Sequence, residues 1–185
     1  MQVGILALQG CITPHIEIFD TLGVKTQRVR SKEELASINR IVLPGGESST
    51  MLKLLKKNNL FDDLKEFCKT NPCWGICAGS ILLASQVTHP EQDSLATLPV
   101  RAHRNFYGSQ LDSFNAEIEI AKLGDPSMKV QFIRAPKLTP LNDQIEILAT
   151  HEQTPVAIQS EKCLITSFHT ELTEDARLHQ YFLNL

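Results

Sequence analysis

Gly75-Ile76-Cys77-Ala78-Gly79 places a cysteine among small residues, where an apolar run, Cys73-Trp74-Gly75-Ile76, meets a helical stretch, Ala78 to Ser85. A nucleophile on a strand-to-helix turn sits in a strained backbone, so its neighbours must be very small. The N–H groups that open the following helix favour a thiolate, and the Ala78 N–H can meet a developing oxyanion. The same five residues also fit a small buried cysteine in a glycine-flanked turn, so the motif alone leaves both readings open.

A thiol with pKa near ~8.5 needs a base or a cation beside it. Of six histidines, His169 has the best position. It follows the apolar run Cys163 to Phe168, and Glu171 lies two residues on. In extended chain, residues i and i+2 point the same way. A carboxylate so placed can hold an imidazole's tautomer and stabilise its charged form. A surface His-x-Glu near a helix start is the competing reading. His15 and His179 fall at helix positions and read as surface or packing residues.

Leu43-Pro44-Gly45-Gly46-Glu47-Ser48-Ser49 also joins an apolar run to a helix. Adjacent glycines expose bare N–H groups, which facing Cys77 would complete an oxyanion hole with Ala78. The alternatives are a phosphate loop or a plain tight turn. The lysine-bearing phosphate signature is absent, which argues against nucleoside triphosphates.

Positioning these residues requires elements that end together. Val3 to Leu8, Lys25 to Val29, Ile41 to Leu43 and Cys73 to Ile76 read as strands. Helices alternate with them over Pro14 to Gly23, Met51 to Lys57, the region of Leu60 to Cys68, and Ala78 to Ser85. That alternation predicts a parallel sheet covered on both faces, with sites at the strand ends. Later runs, Glu117 to Ile120, Val130 to Ile133, Ile145 to Ala149, Val156 to Gln159 and Cys163 to Phe168, predict antiparallel additions to the same sheet. Thr173 is expected to cap a final helix ending at Leu183. The expected fold is α/β: a three-layer sandwich with a mostly parallel central sheet, helices on both faces and antiparallel additions.

The chain has 185 residues, which suits one domain spanning 1–185. Its formal net charge is −3, against a nucleic acid or an anionic membrane as partner, since both favour a basic face. With 42% hydrophobic and 21% charged residues, disordered and fibrous classes are excluded. The five cysteines, Cys11, Cys68, Cys73, Cys77 and Cys163, lack metal or redox spacing, so a reducing cytoplasm is expected. One reactive thiol, Cys77, with four packing as small apolar residues accounts for the odd count. No apolar run approaches the ~18 residues of a membrane span, and the start lacks a signal-peptide pattern.

Together these motifs resemble the triad-type (class I) glutamine amidotransferases, and most of all the glutaminase subunits of pyridoxal 5′-phosphate synthase. The resemblance rests on Gly4 to Gly10, Leu43 to Ser48, Trp74 to Gly79, Arg104-Asn105-Phe106-Tyr107-Gly108, Asp112-Ser113-Phe114, Phe132-Ile133-Arg134-Ala135-Pro136, Ser167-Phe168-His169 and Glu171-Leu172. It implies a flavodoxin-like fold, Cys77 as nucleophile, His169 as general base and acid, and Glu171 as its orienter. It further implies that Gly46, Glu47, Ser48, Arg104, Ile133 and Arg134 bind L-glutamine, and that Gly46 and Ala78 form the oxyanion hole. No metal and no cofactor is implied. Ammonia would pass through a tunnel to a synthase subunit for vitamin B6 formation, in an assembly with twelve of each subunit. Such glutaminases are poorly active until the partner docks, because an oxyanion-hole peptide must reorient; Gly45-Gly46 is the candidate. Departures from the usual pattern are Ile76, Ser80, Ser109, Thr170 and the stretch Cys11 to Pro14. Thr170 in place of a proline predicts a looser exit after His169.

Overall fold

Short apolar runs form the interior strands of the computed structural model, which describes residues 1–106 and 113–185. The first half alternates as expected: β1 (Gln2–Leu6), α1 (Thr13–Thr21), β2 (Lys25–Val29), α2 (Lys32–Ala36), β3 (Arg40–Leu43), α3 (Ser48–Lys57), α4 (Phe61–Thr70), β4 (Cys73–Ile76) and α5 (Ala78–Leu83). Seven strands follow: β5 (Ala84–Thr88), β6 (Leu98–His103), β7 (Phe114–Ile118), β8 (Met128–Phe132), β9 (Lys137–Pro140), β10 (Glu146–His151) and β11 (Thr154–Ser160). The chain closes with β12 (Cys163–Thr166) and α6 (Arg177–Leu183).

The main sheet has the order β10-β11-β12-β4-β3-β1-β2. From β12 to β2 all neighbours are parallel, while β10 and β11 add antiparallel strands at the edge beyond β12. The parallel part is a doubly wound, flavodoxin-like arrangement, whose ligand crevice lies where the strand order reverses, between β1 and β3. Alternate residues feed two apolar layers, as a sheet buried on both faces requires. Leu6, Ile41, Leu43 and Cys73 pack with Leu35, Met51, Leu55, Leu64 and Ile81 of α2 to α5. Val3, Ile5, Val42, Trp74 and Ile76 pack with Phe19 of α1 and with Leu178 and Phe182 of α6.

Expectations about the second half are corrected. The run Cys163 to Phe168, expected as an antiparallel addition, forms β12, which runs parallel to β4 and ends at Thr166. The runs around Glu117 to Ile120 and Val130 to Ile133 do not join the main sheet. They form a separate antiparallel pair, β7–β8, whose apolar side (Ile118, Met128, Val130, Phe132) enters the α1/α6 layer. A further sheet, β5-β6-β9, has no counterpart in the sequence reading. Helix α5 ends at Leu83 because the chain straightens at Ala84 (ψ 144°) into β5. The last helix starts at Arg177 rather than beside Thr173. Asp175, not Thr173, takes the Arg177 N–H (3.0 Å), while the Thr173 hydroxyl donates to the Thr170 carbonyl (2.8 Å). Helix α2 also went unforeseen, although Ser31 and Glu34 form a capping box there.

Close approach of α5 to β3 fixes the turn after β4. A Cβ on Gly79 would overlap the Leu43 carbonyl oxygen, a backbone atom with no free direction to move. Gly79→Ala is therefore expected to cost about 3 kcal/mol in urea unfolding. A loss below about 1 kcal/mol would show that α5 shifts cheaply.

Candidate active site

Cys77 follows the last residue of β4 and opens α5 at φ 48°, ψ −100°, a left-handed conformation costly for a side chain with a Cβ. Neighbouring strand β12 holds it there. The Cys77 N–H donates to the Thr166 carbonyl (2.8 Å). The Ser80 hydroxyl lies 2.6 Å from the Cys77 carbonyl oxygen and 3.2 Å from that of Thr166. Serine at position 80, a departure from the usual pattern, thus ties the turn to the strand that leads to His169. The Cys77 thiol itself lies 3.7 Å from the Ile133 carbonyl.

His169 comes three residues after the end of β12, and its backbone is pinned from β8. Its N–H donates to the Gln131 carbonyl (2.7 Å), and the Gln131 N–H donates back (3.0 Å). The exit expected to be looser at Thr170 is instead tied at His169 by this pair of bonds to β8, and Thr170 is fully buried. Glu171 turns the same way as His169, as the i,i+2 spacing predicts, and Glu171 Oε1 lies 2.6 Å from His169 Nδ1.

The electrostatics follow from burial and these contacts. Burial opposes charge on His169, but hydrogen bonding to Cys77 and Glu171, with their charges, outweighs it and pushes the imidazole up to about 10. Burial would raise the Glu171 carboxyl, yet the His169 hydrogen bond and the adjacent His15 and His169 hold it below the usual carboxylate range. A charged imidazole backed by a carboxylate thus stands beside the cysteine, the arrangement that activates a thiol nucleophile.

Cys77 and His169 share a cavity of about 390 Å³ with residues from several strand ends. Gly45, Gly46, Glu47 and Ser48 line it after β3, Ala78 after Cys77, Arg104 and Asn105 after β6, and Ile133 and Arg134 after β8. Every residue expected to bind substrate therefore borders one cavity, at the crevice between β1 and β3. Glu171 lies behind His169. Tyr107, Gly108 and Asp112, which belong to two of the motifs quoted above, and Ser109, one of the departures, lie outside the described residues.

Two arginines flank one carboxylate at this cavity. Arg104 Nη2 donates to Glu47 Oε1 (3.0 Å), and Arg134 Nη1 lies 4.0 Å from Glu47 Oε2. Arg134 is itself held at φ 46°. The Gly45 carbonyl accepts from the Cys11 N–H (2.9 Å), so across the planar trans peptide the Gly46 N–H points the opposite way. A side chain on Gly45 would overlap the His169 ring, which explains a glycine at that point.

Several neighbours escaped the sequence reading. Gln9 takes the Glu47 N–H on its side-chain oxygen (2.8 Å) and lines the cavity; a polar residue at the exit of a buried strand was its signal. Cys11 does not pack as a small apolar residue. It is half-buried, borders the cavity, and burial with the charge of Glu171 pushes its thiol up to about 11. No disulfide joins the five cysteines. His15 and His179 are both fully buried, and His15 faces Glu171. Nothing in their helical spacing separates that from ordinary packing. No helix among the described residues is long and apolar enough to cross a membrane.

Comparison with known proteins agrees over the whole chain. The pyridoxal 5′-phosphate synthase subunit PdxT of Thermosipho africanus (strain TCF52B) is 42% identical over 186 residues, covering 100% of this chain and 98% of that relative. The protein of the same name from Kosmotoga olearia is 40% identical over 185 residues, covering 99% and 96%. A crystal structure of a glutamine amidotransferase superposes with a TM-score of 0.91 at 40% identity, covering 98% of this chain and 97% of its own. The model of the SNO glutamine amidotransferase family matches residues 5–185, and with the full-length relatives this shows that the chain belongs to that family.

Proposed function

We propose that this chain is one glutaminase domain, the glutamine-hydrolysing subunit of a pyridoxal 5′-phosphate synthase. The observation that carries the reading is a cysteine on a strained strand-to-helix turn, sharing a cavity with an imidazole whose far nitrogen lies 2.6 Å from a buried carboxylate.

In this reading the Cys77 thiolate attacks the side-chain amide carbon of glutamine. The tetrahedral oxyanion meets the N–H groups of Ala78 and Gly46. His169 passes its proton to the amide nitrogen, the C–N bond breaks, ammonia leaves, and a thioester remains. His169 then draws a proton from water, which attacks the thioester. Glutamate is released with its carboxyl proton lost to solvent, and the Cys77 thiolate beside a charged His169 is restored. Overall, glutamine and water become glutamate and ammonia. Glu171 keeps the imidazole in the tautomer that faces Cys77. Ile133 shapes the cavity wall, and Ser48 and Glu47 border the amino-acid end of the substrate. Arg104 takes the α-carboxylate, which must displace or share the contact with Glu47.

Ammonia is largely protonated near neutral pH, so passing it directly to a synthase subunit preserves its nucleophilicity. The names of the relatives support that partner, and the family assembly would hold twelve of each chain. Reorienting the Gly45-Gly46 peptide on docking would break the bond from the Cys11 N–H to the Gly45 carbonyl. The acidic balance, and the lack of a long apolar helix among the described residues, support a cytoplasmic enzyme without nucleic acid or membrane partners.

The test is glutamate release by this chain alone and with the synthase subunit from the same source. Stimulated release supports the reading, and no release above background with the partner overturns it. In the same assay Arg104→Ala is expected to raise the glutamine KM by about tenfold or more, with a smaller change in kcat. An unchanged KM would remove Arg104 from substrate binding.

A further inference from the structure

Two buried imidazoles lie directly behind the candidate triad and have no part in the steps above. His15 comes from α1 and His179 from α6, at opposite ends of the chain, and both are fully buried. His15 Nδ1 and His179 Nε2 are 2.9 Å apart and share a hydrogen bond. Trp74 meets both rings edge to face, and Phe19 meets His179 in the same way. An apolar pair of the same shape would fill this space without the desolvation cost of two polar rings. The polarity therefore serves a neighbour. That neighbour is Glu171: His15 Nε2 lies 3.8 Å from Glu171 Oε1, the oxygen that pairs with His169.

We propose that His15, oriented by His179, is a positioning residue that keeps the Glu171 carboxylate turned toward His169 and extends the Cys77–His169–Glu171 set by two buried imidazoles. The inference rests on the glutaminase reading for its effect on turnover.

The proton arrangement follows from charge and tautomer. Burial holds His15 down to about 4 and His179 down to about 3, so both rings are neutral at pH 7 and each carries one N–H. If the His15 proton sat on Nδ1, a lone pair on Nε2 would face a buried carboxylate. With the proton on Nε2, an N–H faces it instead, and Nδ1 accepts from His179 Nε2–H. All the N–H groups in the row then point toward Glu171 from one side, while His169 Nδ1–H points at it from the other. At 3.8 Å the His15 contact is too long for a hydrogen bond and acts as an oriented dipole, which counts for more in a buried site than in water.

This dipole matters most at one stage of the proposed cycle. While His169 is charged, its hydrogen bond and its charge are the main support of the Glu171 carboxylate. Once His169 has passed its proton to the leaving ammonia, the carboxylate remains buried beside a neutral ring. His15 and the Cys11 thiol, which also faces Glu171, are then the groups that keep it ionised and correctly turned.

His15→Phe and His15→Gln separate this role from packing. Phenylalanine keeps the ring volume against Trp74 and removes the donor; glutamine restores an amide N–H near the Nε2 position. With the synthase subunit present, His15→Phe is expected to lower kcat by about tenfold or more, with the glutamine KM within about twofold. His15→Gln should keep at least about half of wild-type kcat, although the phenylalanine variant is the more heat-stable of the two. Wild-type kcat in His15→Phe, or activities that follow thermal stability, would overturn the proposal. In a Glu171→Gln background, His15→Phe should cost little more, because the two act through one group; the same loss in both backgrounds overturns it. If the wild type with its partner releases no glutamate, the glutaminase reading fails on its own. The positioning role is then read from the downfield proton resonance of the His169–Glu171 hydrogen bond. That resonance should shift in His15→Phe and return in His15→Gln, and no shift in His15→Phe overturns the role.

Discussion

Cys77→Ala is expected to lower glutamine hydrolysis by the partnered enzyme at least roughly ten-thousandfold, while leaving the fold in place. The size follows from the sulfur's proposed part in the reaction. Without it no thioester forms, and a neutral amide faces water alone in a site built around a thiolate. What remains comes from the N–H groups and from substrate positioning, which do not depend on the thiol. The fold should survive because alanine keeps the Cβ at φ 48° and removes one atom from a buried position. The backbone bonds of Cys77 to Thr166 and Ser80 are also unaffected. Glutamate release, read together with a thermal melt, checks both halves. A folded variant that retains more than about a hundredth of wild-type activity would rule out covalent catalysis at this cysteine.

His169→Asn should follow closely, with a loss of roughly a thousandfold to ten-thousandfold in kcat. Asparagine can still meet Glu171 with its amide, but it cannot exchange a proton with Cys77, ammonia or water. The variant also tests the electrostatics. The His169 imidazole is raised to about 10 in the folded chain, against about 6.5 when unfolded. A raised pKa adds stability that is fully present below the unfolded value and is lost as pH rises through the folded one. Glu171, held below the usual carboxylate range, stays ionised across that window. The difference in Tm between wild type and His169→Asn should therefore be widest below about pH 6.5 and shrink toward pH 10. A difference that grows with pH in this range would show that His169 is neutral in the folded protein.

The candidate site was legible to an unusual degree because it depends on local sequence. A small-residue turn around Cys77, paired glycines before Glu47, and an i,i+2 pair at His169 and Glu171 all write their geometry into short stretches. The parallel half of the fold was legible for a similar reason: short apolar runs alternating with amphipathic helices have few other solutions. Strand pairing in the second half was not. The alternating runs that became β7 and β8 look the same in sequence as those that became β10 and β11. Period-2 spacing shows which face of a strand is apolar and says nothing about which edge it joins.

By itself the sequence determined the parallel α/β frame and offered the cysteine turn, the His-Glu pair and the glycine-rich loop as candidates, while the fold brought them to one cavity. Only the tertiary structure decided that Glu47 sits between Arg104 and Arg134, that Cys11 borders the cavity, and that His15 and His179 meet behind Glu171. Each of these joins residues from distant parts of the chain. A helical histidine reads alike whether it packs against an apolar wall or a buried carboxylate. The difference arises only when α1 and α6 come together over one face of the sheet.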